Sequence, residues 1–183
     1  MAKHGVAGYM TSVSIPLTHN PLIIDGQTIG LQHLNAFGST IPNRGIDDGD
    51  LRIVVRFSTH VYTDRATHGR RRDLQDQSGT WRTFCPDRYA VSHLLPMIMR
   101  DFITQNRNAG VSDDFNKGSN LILVEALNSE SWAIFFCFEP SPPGVLLSVL
   151  SAYPKTGNMF SQKKFNQASY YARKCLFTNE RVP

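Results

Sequence analysis

The chain has 183 residues, enough for one domain with a sizeable buried core. Hydrophobic residues make up 41% and charged residues 19%, which excludes intrinsic disorder, and the longest apolar runs, Ile134 to Phe138 and Val145 to Leu150, fall far short of the roughly 20 residues that span a bilayer. A net charge of +4 gives a mildly basic surface, compatible with a polyanionic partner.

The N-terminal stretch lacks the apolar core of a secretory signal, so the expected compartment is the cytoplasm, with no membrane association. The first 20 residues begin with a mixture of Gly and small polar types and are expected to form a loosely held arm. A single domain follows over 21–183. Residues 21–31 predict two short strands about an Asp25-Gly26 turn, and residues 31–37 a short helix ended by Gly38. Residues 39–49, with Pro42, Asn43, Gly45 and Gly49, read as a loop.

Residues 51–63 alternate as a strand, with Ile53, Val55, Phe57 and Thr59 on one face and Arg52, Val54, Arg56, Ser58 and His60 on the other. Residues 64–80 carry many charges and no apolar period, and predict an exposed, mobile connection. Within it, Arg70, Arg71 and Arg72 make a cationic run suited either to solvent or to nucleic acid. Next comes Phe84-Cys85-Pro86-Asp87-Arg88-Tyr89. Asp87 is the expected N-cap of a helical pattern whose face is Val91, Leu94, Leu95, Ile98, Met99 and Phe102, and Pro96 must kink that helix or restart it.

Residues 106–119 read as a polar loop. Three strands are then predicted over 121–127, 132–138 and 145–153, joined by turns at 128–131 and 140–144. Such a meander makes an antiparallel sheet with earlier helices over one face, and the class is α+β. In the C-terminal part, Phe160, Lys163, Lys164, Phe165, Tyr170, Tyr171, Arg173 and Lys174 place cations beside aromatics, as a phosphate backbone with stacked bases requires. The same pattern fits an amphipathic end helix that packs Phe165 and Tyr170 on the core.

Cys85, Cys137 and Cys175 form no CxxC pattern and are read as reduced thiols. Cys85 is the one to watch, because Arg82, Arg88 and His93 lie near it in sequence and cations lower a thiol pKa. No P-loop, dinucleotide fingerprint, HExxH or nucleophile elbow is present, and no two histidines stand at a metal-ligand spacing, so neither cofactor nor metal is expected. A 2H-type phosphodiesterase needs two His-x-Thr/Ser motifs, of which His60-Val61-Tyr62-Thr63 is at most a faint echo.

The remaining chemistry is metal-independent attack on a phosphodiester. RNA carries its own nucleophile, the 2′-hydroxyl. An enzyme then needs a base, an acid for the leaving 5′-oxygen, and cations or hydroxyls around the phosphorane. His60 titrates in the useful range, and Arg82, Arg88 and Lys155 carry positive charge. A histidine satisfied within the core is the competing reading of His60.

Ser151-Ala152-Tyr153-Pro154, at the end of a late strand, resembles the Ser/Thr-x-Tyr-Pro signature of EndoU-type ribonucleases and the wider barnase/EndoU/RelE-like toxin group. The strand motif Phe57-Ser58-Thr59-His60-Val61-Tyr62-Thr63, the Arg88-Tyr89-x-x-Ser92 helix start and the terminal Ser151-Ala152-Tyr153 together resemble an uncharacterised bacterial and phage family over roughly residues 20 to 160. The resemblance implies a helical or hairpin N-terminal part followed by a curved antiparallel sheet. It also implies Ser151 and Tyr153 as catalytic or substrate-positioning groups, with His60 as the proton-transfer residue by its place in the strand motif. EndoU enzymes use two histidines and a lysine, whereas here His60 alone lies in a motif, and His68 and His93 are the other candidates.

The sequence thus predicts a metal-independent RNA endonuclease, a toxin or phage or mobile-element effector, with RNA as partner and an antitoxin or host-defence protein as a further one. Its catalytic set is His60, Tyr153, Ser151, Arg88 and Lys155. Its substrate-binding set is Arg82, Arg56, Ser92, Tyr89, Arg70, Arg71, Arg72, Lys163 and Lys164. The rival expectation is a non-catalytic phage-type inhibitor or adaptor that holds a protein or nucleic acid through its basic surface. Convergence of His60, Arg88 and Tyr153 discriminates the two.

Overall fold

The Asp25-Gly26 pair makes the turn its composition demands. Both residues sit at positive φ, 51° and 77°, as a type I′ turn requires, and β1 (Leu22–Ile24) pairs across it with β2 (Gln27–Ile29). The computed structural model describes residues 15–69, 71–112, 120–127, 130–155 and 162–183, with the backbone alone at 162 and 163. The arm expected over the first 20 residues falls mostly outside that range.

The helix expected over 31–37 is replaced by one 3-10 turn, Gln32–Leu34, and by strand β3 (Phe37–Ile41), which pairs antiparallel with β4 (Leu51–Phe57). The N-terminal part is therefore built of strands, Gly38 lies inside one of them, and residues 39–41 belong to the sheet rather than to a loop. Leu31 and Leu34 are buried, and a single turn satisfies their spacing of three as well as a helix would.

In β4 the predicted alternation holds, with Leu51, Ile53, Val55 and Phe57 all buried. The strand ends at Phe57, earlier than predicted. The Ser58 hydroxyl accepts the His60 backbone N–H and caps a 3-10 turn over Thr59–Val61. Ser58 thus acts as serine commonly does before a helical turn, and His60 does not share a strand face with Arg56.

The stretch read as an exposed connection folds into a second sheet. β5 (Thr63–Arg65), β6 (Leu74–Gln75) and β7 (Trp81–Phe84) associate in the order β5-β7-β6. Strands of two to four residues are too short to print a period-2 signal. Helix α1 (Pro86–Ser92) follows with Cys85, not Asp87, at its N-cap, and Pro96 stands in the first turn of α2 (Leu95–Thr104), where a missing N–H removes no helical bond. Val91, Leu95, Ile98, Met99 and Phe102 are buried as the period predicted.

The main sheet adds β8 (Asn108–Ser112), β9 (Asn120–Leu127), β10 (Glu130–Ser141), β11 (Gly144–Pro154) and β12 (Gln162–Gln167), in the order β12-β8-β9-β10-β11-β4-β3. The β9-β10-β11 meander is antiparallel as expected, and β11 then pairs parallel with β4. β8 corrects the first half of the loop predicted over 106–119, since Ala109 and Ser112 are buried in a strand too polar and Gly-containing to be read as one, while residues 113–119 lie outside the described residues. At Gly144, a Cβ would stand 2.3 Å from the Arg52 carbonyl oxygen, so only glycine lets β11 start this close to β4.

One core cluster joins the inner faces of β4, β10 and β11 to α2 and to α3 (Ala168–Thr178). Phe57, Phe102, Phe136 and Phe138 are fully buried at its centre, and Phe102 meets Phe136 edge to face at 5.1 Å. Truncating such a phenylalanine to alanine costs about 3–5 kcal/mol. Among the described residues no helix is long and apolar enough to cross a membrane. The fold class is α+β, as predicted, with a strand-built N-terminal part.

Candidate active site

β4 and β11 run parallel side by side, with Phe57 at the end of β4 opposite Val149, and β11 continues past it to Pro154. The Ser58 N–H donates to the Val149 carbonyl, which holds the 3-10 turn carrying His60 against β11. At Ser151 the register shifts: Phe135 opposes Ser151 while Phe136 opposes Val149, leaving Leu150 as the extra residue of a bulge. Beyond it Ser151 and Tyr153 share one face of β11.

His60 Nε2 lies 3.0 Å from Asp76 Oδ2. Asp76 occupies the turn between β6 and β7, where its Oδ1 accepts from the Ser78 N–H at 3.0 Å, the Ser78 hydroxyl at 2.6 Å and the Thr80 N–H at 2.9 Å. Its side chain is 7% exposed. Burial alone would raise the Asp76 carboxyl pKa, but the Ser78 hydroxyl, His60 and the two backbone N–H groups outweigh it and hold the pKa below the usual value. The Asp76 carboxylate is ionised at neutral pH.

The His60 pKa lies below the usual 6.5. Burial is the main cause, Asp76 opposes it, and the Arg82 and Arg88 guanidinium groups add to it. The ring is therefore neutral at pH 7. An ionised carboxylate can only accept, so the single ring proton sits on Nε2 and the Nδ1 lone pair stands free to take a proton. Among the described residues no group hydrogen-bonds to Nδ1, and the side chain is 36% exposed.

Two arginines back this pair. Arg88 Nη1 donates to the carbonyls of His60 at 3.1 Å and Thr63 at 2.9 Å, and Nη2 pairs with Asp64 at 2.8 Å. The same guanidinium lies over the Tyr153 ring, 4.1 Å from its centroid. Arg82 is buried and donates from Nε to the Thr63 hydroxyl and from Nη2 to the Thr63 carbonyl, both at 3.1 Å. His60, Arg82, Arg88 and Tyr153 thus converge, and Lys155 follows Tyr153 by two residues, its N–H donating to the Ser131 carbonyl. Ser151 is 8% exposed on the strand face of Tyr153.

Other predicted residues lie elsewhere. Arg56 pairs with Glu139 at 2.7 Å and donates to the Ser148 hydroxyl at 2.8 Å and the Ile15 carbonyl at 3.2 Å, a network within the sheet rather than beside His60. Ser92 is fully buried between the Tyr89 carbonyl and His33 Nε2, while the Tyr89 hydroxyl donates to the Gly30 carbonyl. The Arg-Tyr-x-x-Ser motif thus docks α1 on the N-terminal segment through Tyr89 and Ser92, and only its Arg88 reaches the site. Arg71 is neutralised by Asp25 and Asp73, both at 2.5 Å. Arg72 and Lys164 are exposed, and Arg70 and the Lys163 side chain lie outside the described residues. His68 is exposed in a turn, and His93 stacks on His33 with centroids 3.7 Å apart. The Cys85 thiol is not activated: burial pushes its pKa up, against the opposing effect of the Arg88 backbone.

The sequence reading missed Asp76, together with Asp64 and Thr63. A signal was present, since Asp76-Gln77-Ser78-Gly79 has the Asp-first, Gly-last signature of a type I turn, and Gly79 sits at φ 75°. A turn there implies flanking strands and places Asp76 at their junction.

The model of the YjaZ family matches residues 21–177, most of the chain, and the chain belongs to that family. No curated protein and no solved structure matches it.

Proposed function

We propose, for this member of the YjaZ family, a metal-independent RNA endonuclease that uses the substrate's own 2′-hydroxyl. The reading rests on one observation above all: a neutral His60 whose Nε2–H is held by an ionised Asp76, beside the Arg88 and Tyr153 pair. His60 Nδ1 takes the 2′-hydroxyl proton, the 2′-oxygen bonds to phosphorus, and the bond from phosphorus to the 5′-oxygen breaks. Tyr153 protonates the departing 5′-oxygen. The products are a 2′,3′-cyclic phosphate and a 5′-hydroxyl, so atoms and protons balance with no further reactant.

Asp76 fixes the tautomer and orientation of His60, the role an aspartate plays behind a catalytic histidine. Arg82, Arg88 and Lys155 supply positive potential to the phosphorane. The resemblance of Ser151-Ala152-Tyr153-Pro154 to the EndoU signature, and of the chain to the barnase/EndoU/RelE-like group, supports the same chemistry. A cytoplasmic toxin or a phage or mobile-element effector, countered by an antitoxin or host-defence protein, fits such an activity.

The test is end-labelled total RNA and tRNA in EDTA, with wild type, His60→Ala and Tyr153→Phe side by side. Cleavage by wild type that both variants lose supports the reading. Intact RNA in every lane shifts the assignment to a non-catalytic inhibitor or adaptor that binds through its basic surface.

A further inference from the structure

Helix α3 carries a second feature that the site around His60 does not use. Tyr170, Arg173, Lys174 and Phe177 follow one another at spacings of three and four, which place them along one face of the helix. Arg44, from the loop before β4, meets this face, and together they line a groove. Tyr170 is 51% exposed and Phe177 58%, whereas the adjacent Tyr171 is buried and bonded to the carbonyls of Ala109 and Lys164. The helix thus secures itself through Tyr171 and turns the other two aromatics outward.

Among the described residues no carboxylate pairs with Arg44, Arg173 or Lys174. Arg71, Arg88 and Arg107 each have a carboxylate partner. The Arg173 guanidinium lies 5.4 Å from the Phe177 ring centroid, which keeps the cation beside an open aromatic surface. Three cations that no described carboxylate pairs with and two exposed rings are the combination that grips a single strand, with phosphates on the cations and bases on the rings. A duplex, its bases already stacked on one another, offers no faces to those rings.

We propose that this α3 groove is a binding site for single-stranded RNA, separate from the residues around His60. The proposal deepens the ribonuclease reading by naming the form in which substrate is held. The experiment reads binding alone, using fluorescence anisotropy of a labelled oligouridylate in EDTA across a salt series. It compares His60→Ala, which removes the general base, with the same protein carrying Arg173→Gln and Lys174→Gln or Tyr170→Leu and Phe177→Leu. All four positions are exposed, and thermal melts check that the fold is kept.

Loss of two cations should lower the slope of log affinity against log salt by about 1.4, at about 0.7 per phosphate contact on a single strand. Loss of both rings should weaken binding about tenfold or more, with duplex RNA of the same length much less affected. An unchanged salt slope, or equal losses on single strand and duplex, overturns the proposal. Groove-dependent binding by a wild-type protein that never cuts RNA would sink the ribonuclease reading and leave this one standing; cleavage with an unchanged slope would do the reverse.

Discussion

The Arg88 guanidinium lies 4.1 Å above the centroid of the Tyr153 ring while one of its nitrogens pairs with Asp64 at 2.8 Å. This contact joins α1, the small sheet and the end of β11 around one planar cation. It needs a flat fork: one face for the ring, edges for the carboxylate and for the His60 and Thr63 carbonyls.

Arg88→Lys keeps the charge but loses the fork, leaving carbonyl and carboxylate groups short of donors. It should destabilise the protein by about 3 kcal/mol, read as a lower denaturant midpoint. Tyr153→Phe retains the ring beneath Arg88 and should melt close to wild type, yet its RNA cleavage should fall by two or more orders of magnitude, the usual contribution of a general acid. Cleavage at the wild-type rate by a folded Tyr153→Phe removes the phenol from the mechanism.

Asp76→Asn tests the tautomer assignment without reference to activity. Asp76 raises the His60 pKa against burial and the two arginines, so the variant should titrate His60 at a still lower pH in an NMR titration. An unchanged or raised His60 pKa would show that Asp76 does not hold the ring. Cleavage should also drop, by up to about four orders of magnitude, as when an aspartate behind a catalytic histidine is made neutral.

His33 makes stability depend on pH. Burial, reinforced by His93 and His19, lowers its pKa from 6.5 to about 4. Between those values the unfolded chain binds a proton that the folded protein does not. The stability contributed by neutral His33 is thus complete above pH 6.5 and is lost as pH falls toward 4. Urea unfolding across this range should show a declining midpoint in wild type and a shallower decline in His33→Gln. Superimposable curves would refute the assignment. His19 and His60 shift in the same direction, so a residual slope remains.

The legible parts of this fold are those with long, regular signals. The β9-β10-β11 meander, the Asp25-Gly26 hairpin and the Val91 to Phe102 face each follow from a period or a turn rule. The parts that escaped depend on contacts distant in sequence. β3 exists because β4 offers it an edge, β8 because β9 does, and the sheet of β5, β6 and β7 because very short strands meet across a turn. The site divides in the same way: His60, Arg82, Arg88 and Tyr153 stood out by residue type and motif. Asp76 did not: its turn is written in Asp76-Gln77-Ser78-Gly79, but nothing local announces that the turn comes 3.0 Å from a histidine sixteen residues earlier. Arg56 looked like a free cation because nothing local announces Glu139, whereas one partner of Arg71, Asp73, stands two residues away and only Asp25 is distant.

The most direct test of the 2′-hydroxyl mechanism is cleavage of an oligonucleotide, in EDTA, that carries a single 2′-deoxy substitution at a mapped cut site, with the fully ribose strand as control. The mechanism predicts that the ribose strand is cut to a 2′,3′-cyclic phosphate and a 5′-hydroxyl, and that the 2′-deoxy strand stays whole at that position. Cutting of the 2′-deoxy strand there, or a 5′-phosphate on the product, would contradict it.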